Sequence, residues 1–300
     1  MRNPYAATNK IYRQQAKLLA QQLRAEPALP PDTLPPTPYW VGTVNFNLRK
    51  PNYVIIHHTA QDSAAQTLKT FTLTKTQVSA HYVIGRDGRV FHMLSDYLRA
   101  WHAGVARWGG VTDINSVSVG IELDNNGREP FAAAQLISLL KILGYLKRSY
   151  SIPAANFIGH GDIAPTRKSD PSALFPWQKL AARGYGLWYD TAVLTDTTAA
   201  PFAADSLGRP LPGLTPREAL RIIGYDTQEL NAAILAFKRH FVPADPSPML
   251  TEQDRRILYN IYQKACRVRG LVPHPTSFIA SGYLIIRLSA YPRRRRARQR

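Results

Sequence analysis

The chain has 300 residues, 45% of them hydrophobic, and a formal net charge of +18. This length allows one large or two smaller domains with a sizeable core. The charge favours an anionic partner, such as nucleic acid, an anionic membrane surface or an acidic cell-wall polymer. Cys266 is the only cysteine, which excludes a scaffold held together by internal disulfides.

The first 38 residues predict a helix followed by a tether. Residues 9–24 place apolar side chains on one side of a short helix, and the following segment, EPALPPDTLPPTP, is rich in proline. The start of the chain lacks the uncharged apolar stretch of a signal peptide, and no run in the sequence is long and apolar enough to span a bilayer.

Residues 39–195 alternate strand and helix patterns. Strands are predicted at 52–59, 116–123 and 156–160, and a hairpin at 79–94 turns around Arg86-Asp87-Gly88. Helices are predicted at 130–150 and at 175–184, the second ending at a glycine cap. These elements predict an α/β fold with a mixed central β-sheet flanked by helices.

The remainder of the chain has a different character. Residues 196–268 predict a small domain of three amphipathic helices, because three helical patterns follow Thr215, Asp226 and Thr251, which are suited to N-caps. Short amphipathic helices cannot bury their apolar faces alone, so a bundle is expected. Residues 269–300 end in an arginine block and predict a basic, disordered tail.

Two of the predicted strands end in histidine, at His57 and at His160, and Asp170 lies on the loop after the second. Two imidazoles and a carboxylate with one position left open are the ligands that a catalytic Zn²⁺ requires. Glu122, at the end of another strand, could act as the base, and Lys168 could stabilise an oxyanion. Taken singly, each histidine also fits a hydrogen-bonded structural role, and the segment around Lys168 fits a solvated turn.

Several segments carry a family resemblance: IIHHTA, SAHYVIGRDG, AWHAG, SVGIELDNNG and GHGDIAPTRKSDPS. In this order and at these separations, they resemble the type-2 family of zinc-dependent N-acetylmuramoyl-L-alanine amidases. That family shares its fold with the peptidoglycan recognition proteins. The resemblance covers roughly residues 40–190, and a small helical domain follows the catalytic domain in similar envelope amidases.

The resemblance implies roles for individual residues. It makes His57, His160 and Asp170 the zinc ligands, Glu122 the catalytic glutamate and Lys168 the group that stabilises the intermediate. It also implies a substrate-groove segment, formed by Trp101, His102 and Ala103. For His81 and His92 a structural role is favoured. Some relatives carry a catalytic tyrosine where this chain has Ala80, which places more of the catalysis on Glu122.

The expected function is hydrolysis of the amide between N-acetylmuramic acid and L-alanine of the peptidoglycan stem peptide, in wall turnover or recycling. The alternative is a recognition protein that binds peptidoglycan without cutting it, although such relatives typically lack a zinc ligand. The helical domain resembles peptidoglycan-binding modules, and the rival interpretation for it is a plain stabilising appendage. The arginine block could contact nucleic acid, but no nucleic-acid partner is expected.

The expected substrate is peptidoglycan or a muropeptide, which places the protein in the cell envelope or periplasm. Anchoring at a membrane surface is a possible addition. Because no export signal is visible, an envelope location implies that the chain is a mature or start-trimmed form. A cytoplasmic enzyme that recycles wall fragments is the other interpretation. The sequence leaves the oligomeric state open.

Overall fold

This computed structural model describes residues 3–22, 50–196, 201–202 and 213–268. Helix α1 spans Ala6–Gln22, as the amphipathic pattern predicts. The Pro-rich tether, the predicted start of the catalytic domain near residue 39 and the basic tail lie outside the described residues. Within the described ranges, none of the helices combines the length and apolarity needed to cross a membrane.

A five-stranded mixed sheet forms the centre of the molecule, as predicted. The strands are β1 (Tyr53–His58), β2 (Tyr82–Ile84), β3 (Val90–His92), β4 (Ser118–Leu123) and β5 (Phe157–Gly159). Their order is β3-β2-β4-β1-β5. Strands β2, β4, β1 and β5 run parallel, and the predicted hairpin adds β3 as an antiparallel edge strand.

The two faces of the sheet are covered by different parts of the chain. Val54 and Ile56 of β1 pack with Leu139 and Leu143 of helix α3 (Ala133–Tyr150) in one apolar cluster. Ile55, which points to the opposite face because side chains alternate along a strand, belongs to a second cluster. Polar functional side chains are gathered on this second face.

Helix α2 (Ala64–Thr72) was not predicted. Ser63 caps it by accepting a hydrogen bond from the backbone N–H of Gln66. The helix is short, and only Thr67 and Leu68 are buried. An apolar pattern of this length is too weak to distinguish a helix from a loop.

Three helices follow in the C-terminal part: α6 (Pro216–Ile223), α7 (Leu230–Phe241) and α8 (Glu252–Val268). The predicted caps at Thr215 and Thr251 are confirmed, since each hydroxyl accepts a hydrogen bond from a backbone N–H three residues later. The predicted cap at Asp226 is wrong. Its carboxylate accepts from the N–H of Gln228 in a local turn, and α7 begins at Leu230.

The three helices bury their apolar faces against one another and also against the sheet domain. Helix α6 packs on α8, whereas α7 contacts two short helices of the preceding region, α4 (His160–Ile163) and α5 (Trp177–Ala181). A single apolar cluster therefore contains residues of both parts, among them Ile55, Ile158, Ile163, Ala219, Phe237 and Leu258. The helices are packed onto the second face of the sheet, behind the segment that carries His160.

Candidate metal centre

Two functional side chains leave neighbouring parallel strands at the same level. His57 of β1 and Glu122 of β4 are register partners, one residue before the end of each strand. Because both strands run in the same direction, their carboxyl ends meet at one edge of the sheet. The structure therefore brings His57 and Glu122 together at this edge.

The other two metal-ligand candidates come from the segment that follows β5. Strand β5 ends at Gly159, so His160 begins α4, and the prediction that it is the last strand residue is wrong by one position. The N–H of Gly161 donates to the carbonyl of Asp170 across 2.6 Å. This bond closes the loop and brings Asp170 back beside His160.

Three ligand atoms form a compact triangle. Nδ1 of His57 lies 3.0 Å from Nδ1 of His160, and each nitrogen lies 3.1 Å from Oδ2 of Asp170. All three residues are buried. A tetrahedral zinc ion with bonds of about 2.0–2.1 Å separates its ligand atoms by about 3.3 Å, so the triangle is close to the size that such an ion requires.

A chain of hydrogen bonds sets the tautomer of His57. The hydroxyl of Ser118 donates to the carbonyl of Ile114 across 2.6 Å, so its oxygen accepts from Nε2 of His102 at 3.2 Å. Nδ1 of His102 is then an acceptor, and Nε2–H of His57 donates to it across 3.1 Å. The remaining nitrogen of His57, Nδ1, consequently presents a lone pair to the triangle.

The tautomer of His160 is set by the backbone. Its Nε2–H donates to the carbonyl of Ala103 across 3.0 Å, which leaves Nδ1 as an acceptor. The same carbonyl accepts from Nη2 of Arg167 at 2.7 Å, and Arg167 also reaches the carbonyl of Val105 at 2.8 Å. Arg167 thereby holds the segment that orients His160.

Three acceptors that face one another at 3.0–3.1 Å need a cation between them. Burial lowers the pKa of His57 to about 4, so this imidazole is neutral near pH 7. Although burial raises the pKa of Asp170, the contacts with His160 and His57 hold it below its usual value, and the carboxylate stays ionised. Two imidazole lone pairs and one carboxylate oxygen fit a divalent ion with an open fourth position.

Glu122 is placed beside the triangle. Its Oε1 lies 4.0 Å from Nδ1 of His57, and its buried Oε2 has no hydrogen-bond partner among the described residues. Burial raises the pKa of Glu122 to about 8, helped by the negative charge of Asp170 and opposed by the charge of Lys168. A carboxyl group whose pKa is shifted in this way can take up and release a proton near neutral pH.

Lys168 is half-buried at the same edge. Its charge lowers the pKa of Glu122, His57 and His58, which places the ammonium group near all three. A cation in this position can stabilise negative charge that develops next to the metal.

The segment of Trp101, His102 and Ala103 is divided between surface and core. The side chain of Trp101 is 51% exposed, whereas His102 and Ala103 are buried and hydrogen-bond the two histidine ligands. His102 packs so closely on β4 that a Cβ at Gly120 would lie 2.4 Å from its ring. The buried His102 and Ala103 therefore contact the metal ligands, and Trp101 offers the exposed aromatic surface.

The structural interpretation of His81 is confirmed. It is fully buried, its Nδ1 accepts from the N–H of Gly120 at 3.0 Å, and Nε2 donates to the carbonyl of Leu98 at 2.9 Å. His92 is exposed on β3, where its ring stacks on Tyr82 at 4.4 Å. Neither residue contacts the metal triangle.

Sequence reasoning missed the supporting roles of Ser118 and Arg167. One signal was present: Ser118, Gly120 and Glu122 alternate along β4 and therefore share a face. A serine and a glycine on the face that carries the base indicate a side chain packed closely against the strand. For Arg167 no such signal exists, because its acceptors are backbone carbonyls.

Comparisons with known proteins identify the family of this chain. The family model described as N-acetylmuramoyl-L-alanine amidase matches residues 47–173. N-acetylmuramoyl-L-alanine amidase AmiD of Escherichia coli (strain K12) is 35% identical over 214 residues, which cover 63% of this chain and 74% of AmiD. The chain belongs to the N-acetylmuramoyl-L-alanine amidase family, in the class of the type-2 amidases.

Two solved structures share the fold. AmiD from E. coli, in complex with the substrate anhydro-N-acetylmuramic acid-L-Ala-D-gamma-Glu-L-Lys, gives a TM-score of 0.63 at 29% identity, covering 74% of this chain and 93% of that one. AmpDh3 from Pseudomonas aeruginosa, in complex with anhydromuramic pentapeptide, gives 0.62 at 28% identity, covering 77% and 98%. The similarity extends beyond the sheet domain, because each structure covers a larger part of this chain than residues 47–173, which the family model matches.

Proposed function

We propose that this chain is a zinc-dependent amidase that hydrolyses the bond between the lactyl group of N-acetylmuramic acid and L-alanine of the stem peptide. The observation that carries the proposal is the triangle of His57, His160 and Asp170. Next to it lies a carboxylate oxygen of Glu122 that has no hydrogen-bond partner in the part of the chain that the structure describes. Zinc is the preferred ion because imidazole and carboxylate ligands at these separations suit its tetrahedral geometry.

When bound, zinc would polarise the scissile carbonyl and lower the pKa of a water molecule. Glu122 takes the proton of the attacking water and delivers it to the leaving amine of L-alanine. Lys168 stabilises the negative charge that develops on the carbonyl oxygen. His102 and Ala103 keep the lone pairs of His57 and His160 directed at the metal.

The substrate class follows from the relatives and from the surface around the site. The AmiD and AmpDh3 structures hold anhydromuramyl peptides. In this chain, Trp101 and Val105 are exposed beside the metal edge, and they provide apolar contact for a stem peptide or a sugar ring. We therefore assign peptidoglycan or a muropeptide as the substrate.

Location and organisation are part of the proposal. A peptidoglycan substrate places the enzyme in the cell envelope or periplasm, where the +18 charge suits an anionic wall polymer or membrane surface. Residues 39–195 are assigned as the catalytic domain. Residues 196–268 are assigned as a helical domain that contacts peptidoglycan with its solvent-facing side. Detection of the native protein in the cytoplasmic fraction alone would contradict the location.

The test is a cleavage assay read by mass spectrometry. The full-length protein is incubated with a muramoyl-tripeptide, with and without a chelator. We expect release of free peptide with an N-terminal alanine, sensitive to the chelator, and a loss of about 10²–10⁴-fold in Glu122→Gln. The variant should keep its zinc. Zinc binding without cleavage by the wild type would instead favour the alternative, a recognition protein that binds peptidoglycan.

A further inference from the structure

Asp162 is a buried carboxylate that has no part in the proposed reaction. It is 4% exposed and lies two residues after His160 in the four-residue helix α4. Its Oδ2 accepts from the backbone N–H of Gly159 at 2.8 Å, which holds the entry to the helix. Burying a carboxylate costs free energy unless its oxygens accept hydrogen bonds, so the other donors to Asp162 decide whether it is stable in this position.

Those partners come from the C-terminal helices. The hydroxyl of Tyr225, after α6, donates to Oδ1 of Asp162 across 2.9 Å. Nδ1 of His240, in α7, lies 2.8 Å from Oδ2 of the same carboxylate. Tyr225 is 2% exposed and His240 is 5% exposed. Both donors are thus shielded from water. In such a buried environment, hydrogen bonds to a charged group are strong.

Both donors are themselves fixed by packing. The ring of His240 stacks on Trp177 with 3.9 Å between centroids, and the ring of Tyr225 meets Trp108 edge-on at 5.0 Å. Burial raises the pKa of Tyr225 well above its usual value, an effect increased by the charge of Asp162, so the phenol stays a neutral donor.

Two further contacts join the helices to the loops around the metal triangle. A Cβ at Gly161, next to His160, would lie 2.8 Å from Nη1 of Arg239 in α7. The N–H of Gly109 donates to the carbonyl of Gly224 across 2.7 Å. Gly109 follows the segment whose Ala103 carbonyl orients His160. The helices therefore contact the residue after His160 and also the segment that follows Ala103.

We propose that Tyr225 and His240 are positioning residues of the metal centre, which act through Asp162 to hold His160 in place. On this account the C-terminal helices are part of the catalytic unit, whatever they contact on their outer side. The inference rests on the proposed function only in so far as the triangle binds zinc.

A structural role would be hard to separate from a positioning role without a matched control, and the chain supplies one. Tyr150 donates to the buried carboxylate of Asp96 across 2.9 Å, the same length as the bond from Tyr225 to Asp162. Tyr150 and Asp96 are also buried, but Tyr150 is the last residue of α3 and belongs to the apolar cluster on the opposite face of the sheet. Tyr150→Phe thus removes an equivalent hydrogen bond without touching the metal region.

The experiment measures the rate at which full-length, zinc-loaded protein loses zinc to a chromophoric chelator. It also measures the urea midpoint of unfolding of the metal-free protein, because bound zinc itself would shift the midpoint. We expect similar midpoint shifts for Tyr225→Phe and Tyr150→Phe. Zinc loss should be about tenfold faster in Tyr225→Phe alone, because partners behind metal ligands typically change affinity by about 10–100-fold. His240→Asn keeps a donor near the position of Nδ1, so this variant should hold zinc better than His240→Ala.

Each outcome is decisive. Equal zinc loss in Tyr225→Phe and Tyr150→Phe would overturn the inference and leave the proposed function intact. A wild-type protein that binds no zinc would overturn both. Zinc that is bound and lost at the expected rates, without cleavage of a muramoyl-tripeptide, would support the inference while contradicting the amidase.

Discussion

Nε2 of His57 lies 3.1 Å from Nδ1 of His102, and this hydrogen bond decides which nitrogen of His57 faces the metal triangle. The Ser118 hydroxyl sets the direction of this bond, because it donates to a backbone carbonyl and therefore accepts from Nε2 of His102. A buried histidine that follows an exposed tryptophan in the chain thus controls the donor set of the site.

Replacing His102 by alanine should weaken metal binding more than it weakens the fold. The change removes the acceptor for Nε2–H of His57, so the imidazole can rotate or adopt the other tautomer. Loss of such a partner typically costs about 10–100-fold in metal affinity. Competition with a zinc chelator measures the effect, and Ser118→Ala should cause a smaller loss. An affinity equal to that of the wild type in His102→Ala would contradict the tautomer assignment.

Lys168→Met should lower kcat and leave KM nearly unchanged. The ammonium group is assigned to charge that exists only in the transition state, and removing one such group typically costs about 10²–10³-fold in kcat. Steady-state hydrolysis of a muramoyl-peptide supplies both constants. Lys179→Met, at an exposed position of α5, is the control and should retain full activity. A rise in KM alone would instead assign Lys168 to substrate binding.

His81 should make the fold sensitive to mild acid. Burial lowers the pKa of His81 below the usual 6.5. Only the unprotonated Nδ1 can accept the hydrogen bond from Gly120. The unfolded chain therefore binds the proton first, and the stability present above pH 6.5 is lost as the pH falls below it. The loss is at most about 1.4 kcal/mol for each pH unit between the two pKa values.

The measurement compares urea unfolding of metal-free wild type and His81→Asn at pH 7.5 and pH 5.0. The wild type should lose more free energy of unfolding between these two pH values, because asparagine keeps an acceptor for Gly120 but does not titrate. Histidines that do not interact with His81 titrate alike in both proteins and cancel in the difference, and the change in His92 and His102 is part of the effect of His81. An identical pH dependence would show that His81 is not the responsible group.

Much of the fold and the metal triangle was predictable from local patterns. Compact β-branched runs identified β1 and β4, and parallel strands in one sheet necessarily bring His57 and Glu122 to the same edge. The place of Asp170 was harder to predict, since it depends on a loop that is closed by the hydrogen bond from the N–H of Gly161 to the carbonyl of Asp170. There the position on the loop made Asp170 a candidate, and the family resemblance supplied the assignment.

The remainder depended on tertiary contacts that no local pattern encodes. The Asp226 cap failed because a turn and a helix start have the same local signal, and the side chain satisfies the turn. Asp162 carried no sequence signal at all, since its donors Tyr225 and His240 lie 63 and 78 residues further along the chain. Partners at such distances become visible only when the helices pack on the sheet.

The central claim is that His57, His160 and Asp170 bind one zinc ion, and zinc content tests it most directly. Full-length protein, purified without added metal and then supplied with zinc and desalted, is measured by inductively coupled plasma mass spectrometry. The account predicts one zinc per chain in the wild type and in Glu122→Gln, and a large loss in His160→Ala. A wild-type chain without zinc, or a His160→Ala variant that retains it fully, would contradict the account.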